Sequence, residues 1–287
     1  MKFKFTDETR ITPSGETIYR IEAIEDIFSR GVRVRVGDKG GFVGKSAQVT
    51  GDAWVSGNAR VYGNAYLSDN VWVYGEALVF GYARVTDNTQ VYGNACVSDN
   101  VWMHGDAHVS GDARVSGHAI VSDNARVYGE ARVLDYARVY GNAHVDGKAL
   151  VYGNARVYGN ARVGGNAQVL VDARVYGNAR VYGDARVYGN AHVYGNAQVR
   201  SNARVFGDAQ VRGNARVYGI AEVSVYAQVT GKAQVYGKAR VFGNALITDN
   251  AHVYGDAEVS VYAQVTGKAQ VYGYARVYGD ISGKEQE

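Results

Sequence analysis

Few groups in this sequence could do chemistry: six histidines, a single cysteine, and carboxylates spread along the chain. Histidine can serve as general base or metal ligand, so its spacing matters first. His108, His144 and His252 occupy one column of a six-residue pattern, each just before a valine. His108 and His144 are two 18-residue coils apart, ~10 Å at the usual strand spacing. A shared metal needs both imidazole nitrogens within ~2 Å of the ion, so no metal site is expected. His192 precedes Val193 on another face, His104 follows Met103, and His118 stands at a corner. They replace Arg, Tyr and Asn of neighbouring repeats and read as exposed polar variants. Cys96 has no histidine in its hexad to activate it, and reads as a tolerated surface substitution. Asp106, Asp112, Glu130 and Asp184 fall at corners, where they serve turn geometry, and no phosphate-loop motif is present. The expectation is no catalytic residue, no metal and no cofactor.

Arginine and tyrosine carry a stronger pattern. Arg precedes the register residue in 15 repeats and Tyr follows it in 16. Arg138 and Tyr140, Arg156 and Tyr158, and Arg174 and Tyr176 recur at intervals of 18, and Tyr194 continues the series beside His192. Such columns stack as ladders. Cross-strand pairs contribute ~0.2–1 kcal/mol each, and a guanidinium over a ring adds cation–π attraction. The ladders can serve the coil alone, or present a basic, aromatic strip to an anionic polymer: a glycan, a nucleic acid or a cell-wall polymer. A second face is more apolar. Phe80, Leu134, Leu170, Phe206 and Phe242 share a column beside a corner that carries Tyr82, Tyr136, Val171, Val225, Tyr226, Val261 and Tyr262. Exposed apolar groups of this extent mark an interface. The sequence thus predicts a homo-oligomer, dimer or trimer, joined through this face. Trp54 and Trp72, 18 apart, should stack and pack against the N-terminal residues, or else form a carbohydrate platform.

These columns require a repeating backbone. From Val43 to Val277 an apolar residue fills every sixth position, 40 in all, of which 37 are valine. Alanine follows four residues later in 36 of them. A period of six does not match helical turns of 3.6 residues, whereas alternation around the valine fits a short strand with one buried face. Gly lies two residues after the register residue in 29 repeats and Asp in six more. Both tolerate positive φ, so each unit is one strand and one tight corner. Three units make an 18-residue coil. The segment AEVSVYAQVTGKAQVYG, found at 221–237 and again at 257–273, supports this, because its offset of 36 is two coils.

A pattern of aliphatic, any, Gly or Asp, Asn or Asp, Ala, any, repeated in sixes, resembles the hexapeptide repeat of left-handed parallel β-helices. The resemblance implies a left-handed, triangular coil; period alone does not. Residues 37–43, Gly-Asp-Lys-Gly-Gly-Phe-Val, follow the segment Ile21–Ile27 and are similar to the start of bacterial and phage solenoids described as hexapeptide acyltransferases. Enzymes of that kind use a histidine base between subunits and insertion loops over the substrate. Between Val43 and Val277 this chain has no insertion. A trimeric metal site, as in the zinc carbonic anhydrases of the superfamily, would need histidines meeting across an interface.

The expected fold is all-β: a single-stranded left-handed parallel β-helix of about 13 coils. Residues 1–42 are expected to form a small N-terminal cap, 43–281 the solenoid, and 282–287 a polar tail. Within the cap, Phe3 and Phe5 suggest a strand, Thr12–Gly15 a turn, and Ile18, Ile21, Ile24 and Ile27 a short helix or strand pair. Val32, Val34 and Val36 read as a strand entering the first coil. The net charge of +3 speaks against tight nonspecific nucleic-acid binding. No apolar run reaches the ~18 residues of a membrane span, and the N-terminus lacks an apolar signal segment. One cysteine implies no oxidising compartment. The expectation is a cytoplasmic, non-catalytic scaffold in a bacterium or phage-infected cell. The alternative is an acyltransferase using an acyl-CoA donor at a subunit interface.

Overall fold

The computed structural model describes residues 1–29 and 32–283. It is all-β, without a helix among the described residues, and forms a parallel-stranded solenoid of about 13 turns of about 18 residues. The hexad explains the coil. The register valine and the alanine four residues later point inward and are almost all fully buried. Every second residue after a register position, from residue 51 to residue 273, has a positive φ. Glycine suits this for two reasons: it adopts the left-handed backbone freely, and it leaves room. A Cβ on Gly159 would lie 3.1 Å from the backbone of Gly177, one coil on.

Each hexad also bonds its backbone to the next coil. Arg156, Tyr158 and Asn160 donate their N–H groups to Ala173, Val175 and Gly177 at 2.9, 3.0 and 2.7 Å. Val157 and Val175 are register partners on adjacent strands, as the 18-residue coil requires. Outside, the corner asparagines run as amide ladders: Asn160 to Asn178, Asn178 to Asn196 and Asn196 to Asn214, each at 3.1 Å.

The chain divides into two compact units, Met1–Asn142 and Ala143–Glu287. In the first, strand Phe3–Ile11 pairs antiparallel with Thr17–Ala23, which pairs antiparallel with Lys39–Gly44. Lys39–Gly44 then pairs in parallel with Arg60–Val61 and starts the coils. Ile18, Ile21, Ile27 and Phe42 are fully buried, and the guanidiniums of Arg10 and Arg20 lie over the Phe42 ring at 4.1 and 4.5 Å. Gly40 and Gly41 are needed by close approach: a Cβ on either would meet a carbonyl oxygen, of Val55 or Ala59, at 2.6 Å.

The alternating valines after Arg30 do not lead into the first coil. Val32–Val34 instead pairs with Ile27–Ser29 in a separate antiparallel ribbon. Two carboxylates turn the chain back: Asp26 holds Arg33 and accepts the N–H of Val36, and Asp38 accepts the N–H of Arg35 at 2.7 Å. The strand that does enter the coil is Lys39–Gly44. Trp54 and Trp72 are register partners, and Trp54 is buried.

In the second unit the same three faces repeat from Ala143 onward. Ile281–Gly283 pairs in parallel with residues 265–267, so Ser282 and Gly283 belong to a strand. The rest of the expected tail, 284–287, lies outside the described residues.

Candidate functional site

The Arg/Tyr columns lie side by side on one sheet face. In the second unit Arg156, Arg174 and His192 are register partners on successive strands. Tyr158, Tyr176 and Tyr194 stack face to face beside them, with centroids 4.9 and 4.8 Å apart. Arg138 and Tyr140 belong to the first unit, where Arg138 is exposed beside Ile120 and Tyr140 is half-buried. The expected cation–π contacts within this ladder are corrected: Arg156 and Arg174 make none with described residues. The rings meet the ring of the next coil, so their faces are already occupied. Cation–π contacts occur elsewhere, as with Arg200 over Tyr218 at 4.9 Å.

Arg156 and Arg174 also have no ion-pair partner among the described residues. The equivalent column of a neighbouring face is neutralised instead. There Arg204 pairs with Glu222 at 3.2 Å, and Arg240 with Glu258 at 3.0 Å. Burial, helped by the charge of Arg174, holds the His192 imidazole below its ordinary pKa and so favours the neutral ring. Burial first, and then Tyr194 and Tyr158, pushes the Tyr176 phenol up.

The histidines are not simple exposed variants. The residue after one register position reaches the residue before the register position of the next coil, 16 residues on. Tyr92 meets the edge of His108, Tyr176 that of His192 and Tyr236 that of His252, at 6.0–6.4 Å. Glutamine fills the same role: the hydroxyls of Tyr194, Tyr218 and Tyr254 donate to Gln210, Gln234 and Gln270 at 3.1–3.2 Å. His118 stacks on Tyr136 at 4.9 Å. Cys96 is half-buried between Leu78 and Arg114 on the adjacent strands, and burial raises its thiol pKa. Among the described residues no three of His, Cys, Asp or Glu group as they would around a metal ion.

The Phe/Leu column is less exposed than its sequence suggests. Phe80, Leu134, Leu170, Phe206 and Phe242 are all half-buried. Phe80 stacks on Tyr62 at 5.0 Å and Phe206 on Tyr188 at 4.9 Å. Buried serines, Ser98, Ser224 and Ser260, interrupt the column. The corner beside it is exposed: Tyr82, Tyr136, Tyr226 and Tyr262 have 56–72% of their surface free. At the same corner Val171, Val225 and Val261 take φ of 67°, 63° and 65°. A β-branched residue there is a genuine outlier.

No helix is long and apolar enough to cross a membrane. The sequence matches the family model of the YdcK beta solenoid repeat at residues 90–105, 149–165, 155–170, 173–187, 185–201 and 239–255. No curated protein is similar to the chain in sequence. Among solved structures, a predicted acetyltransferase from Desulfovibrio desulfuricans shares 11% identity at a TM-score of 0.27, over 85% of this chain and 71% of that one. The UDP-N-acetylglucosamine acyltransferase of Campylobacter jejuni shares 15% at a TM-score of 0.27, over 62% and 68%. That of Francisella novicida shares 14% at a TM-score of 0.23, over 66% of each. At such scores nothing about activity transfers. The chain carries YdcK-type β-solenoid repeats, and this match supports its resemblance to the hexapeptide-repeat solenoids.

Proposed function

We propose that the protein is a non-catalytic binding scaffold whose second unit presents the Arg156–Arg174 strip, edged by Tyr158, Tyr176 and Tyr194, to an anionic polymer. One observation carries the reading: two guanidiniums in register on adjacent strands with no carboxylate beside them. Like charges placed opposite one another weaken a sheet. Glu222 and Glu258 neutralise the equivalent column on another face, so the coil itself does not demand the unpaired arrangement. A polyanion supplies the missing counter-charge, and the stacked phenols offer it flat surfaces. With a net charge of only +3 the binding is moderate and falls steeply with salt. The scaffold also self-associates, as a dimer or trimer, through the Phe206–Phe242 column and the exposed Tyr226 and Tyr262.

Heparin, polygalacturonate and single-stranded poly(dT) are the probes for the strip. Binding to at least one at low salt should weaken at least tenfold in the double variant Arg156→Gln, Arg174→Gln. Affinity for none of them, or affinity untouched by the double variant, refutes the strip. Sedimentation tests association: Leu134→Ser, Phe206→Ser and Phe242→Ser together should shift a discrete oligomer toward monomer.

A further inference from the structure

The first unit holds an open trough of about 940 Å³ on a sheet face, unrelated to the Arg156–Arg174 strip. Tyr66, Arg84 and Trp102 form its floor, as register partners on three successive strands. Tyr82 and the amides of Asn64 and Asn100 form one rim. Trp102 is 48% exposed and Tyr82 63% exposed. Large aromatic planes left in water across from polar side chains mark a binding surface.

The polar groups of the trough are also unspent. Elsewhere the corner amides are tied into ladders, as Asn70 is to Asn88 at 3.0 Å and Asn94 to Asp112 at 2.9 Å. At this corner Tyr82 stands between Asn64 and Asn100 and breaks the ladder. The Asn64 amide, the Arg84 guanidinium and the Tyr66 and Tyr82 hydroxyls have no hydrogen-bond partner among the described residues. Asn100 alone is engaged, with the His118 ring at 3.4 Å.

We propose that this trough binds a neutral, extended oligosaccharide. A sugar ring offers an apolar C–H face to an aromatic plane and a hydroxyl edge to amides and a guanidinium, the two kinds of group found here. Successive coils are ~4.8 Å apart, close to the length of one sugar unit in an extended chain, so Tyr66 and Trp102 address alternate units. Charge selects against a polyanion. Arg84 is the one cation lining the trough, while Asp69, Asp87 and Asp99 stand at the corners flanking its strands. Phosphates or uronates would meet that fringe of carboxylates; neutral hydroxyls would not.

Cellohexaose, chitohexaose and laminarihexaose are the probes, titrated into the full chain by calorimetry and by tryptophan fluorescence. At least one should bind saturably and perturb the emission of Trp102. Trp102→Ala and Tyr82→Ala should each weaken binding at least tenfold, or ~1.4 kcal/mol. The pair Arg156→Gln, Arg174→Gln should leave it unchanged, which separates this site from the polyanion strip. Both trough residues are exposed, and circular dichroism of each variant confirms that the fold persists. If one variant unfolds, the other still reports. Absence of saturable binding to all three sugars at millimolar concentration overturns the proposal. So does binding that survives both variants, or tighter binding of hexagalacturonate or a dT oligonucleotide that Trp102→Ala abolishes.

Discussion

Replacing Val225 with aspartate should make the protein more stable, although it puts a charge where a hydrocarbon stood. Val225 sits at a corner with φ of 63°. The left-handed backbone costs an L-residue ~1–2 kcal/mol, and aspartate bears it more easily than a β-branched side chain. Relief is therefore ~1 kcal/mol. Aspartates at equivalent corners also do something valine cannot. Asp87, Asp99, Asp123 and Asp249 accept the backbone N–H of Gly105, Gly117, Gly141 and Gly267, one coil on, at 2.8–3.0 Å. An Asp at 225 would face the N–H of Gly243 in the same way. A hydrogen bond to a charged group contributes ~1.5–3 kcal/mol, at the low end in an exposed corner. Against this stands lost burial. Val225 is 43% exposed, so about half of the ~1.5–3 kcal/mol of a fully buried valine is forfeited. The balance for Val225→Asp is a gain of ~1–2 kcal/mol. Val225→Gly relieves the same strain without the hydrogen bond and adds ~0.5–1 kcal/mol of unfolded-chain entropy, so it should be neutral or mildly destabilising. Guanidinium chloride unfolding of the three proteins at pH 7 measures both differences. The carboxylate's folded-state pKa would lie below its unfolded value, so the aspartate's advantage is present at neutral pH and disappears as pH falls. An aspartate variant no more stable than the glycine variant would refute the corner argument.

Val157 is fully buried, and Val157→Asp should cost ~4 kcal/mol by burying an unpaired charge, read from the same unfolding curves. Burial pushes up the phenols of Tyr62, Tyr74, Tyr176, Tyr188 and Tyr236. Because their folded pKa values exceed the unfolded value of 10.0, stability should hold at neutral pH and decline as pH rises past 10. Melting temperatures measured across that range should therefore fall, with phenolate absorbance in the folded protein lagging behind that of free tyrosine. The raised thiol of Cys96 should alkylate more slowly with iodoacetamide at neutral pH than an unfolded control, with the rate climbing as pH rises.

What the sequence revealed, it revealed through periodicity. The pairing of Val157 with Val175 and the stacks of Tyr158, Tyr176 and Tyr194 follow directly from an 18-residue coil. The corners were legible because glycine and aspartate announce positive φ. Three valines at such corners could not be placed there by composition, since valine signals strand. The N-terminal ribbon was misread for a similar reason. Alternating Val32, Val34 and Val36 fit any half-buried strand, and only the bonds of Asp26 and Asp38 turn that segment away from the coil. The diagonal contacts were invisible too. Tyr194 reaching Gln210 depends on side chains leaning along the strand, which column counting ignores. Trp102 was placed on its own face, but its neighbours Tyr82 and Arg84 became a trough only when three strands were laid side by side.

The coil-to-coil backbone bonds make length a quantised property of this chain. Each N–H that reaches a carbonyl 17 residues on needs a coil of 18. Gain or loss of 18 residues inserts or removes one rung and leaves every side chain on its original face. Gain or loss of six keeps valine inside and glycine at the corners, so the fold survives. Every ladder beyond that point, however, rotates onto the next face, and stacked tyrosines would then meet arginines or glutamines. The exact copy of residues 221–237 at 257–273 obeys the stricter rule, being displaced by two whole rungs. The molecule thus behaves as a ruler graduated at ~4.8 Å, able to lengthen or shorten by single graduations without redrawing any of its surfaces.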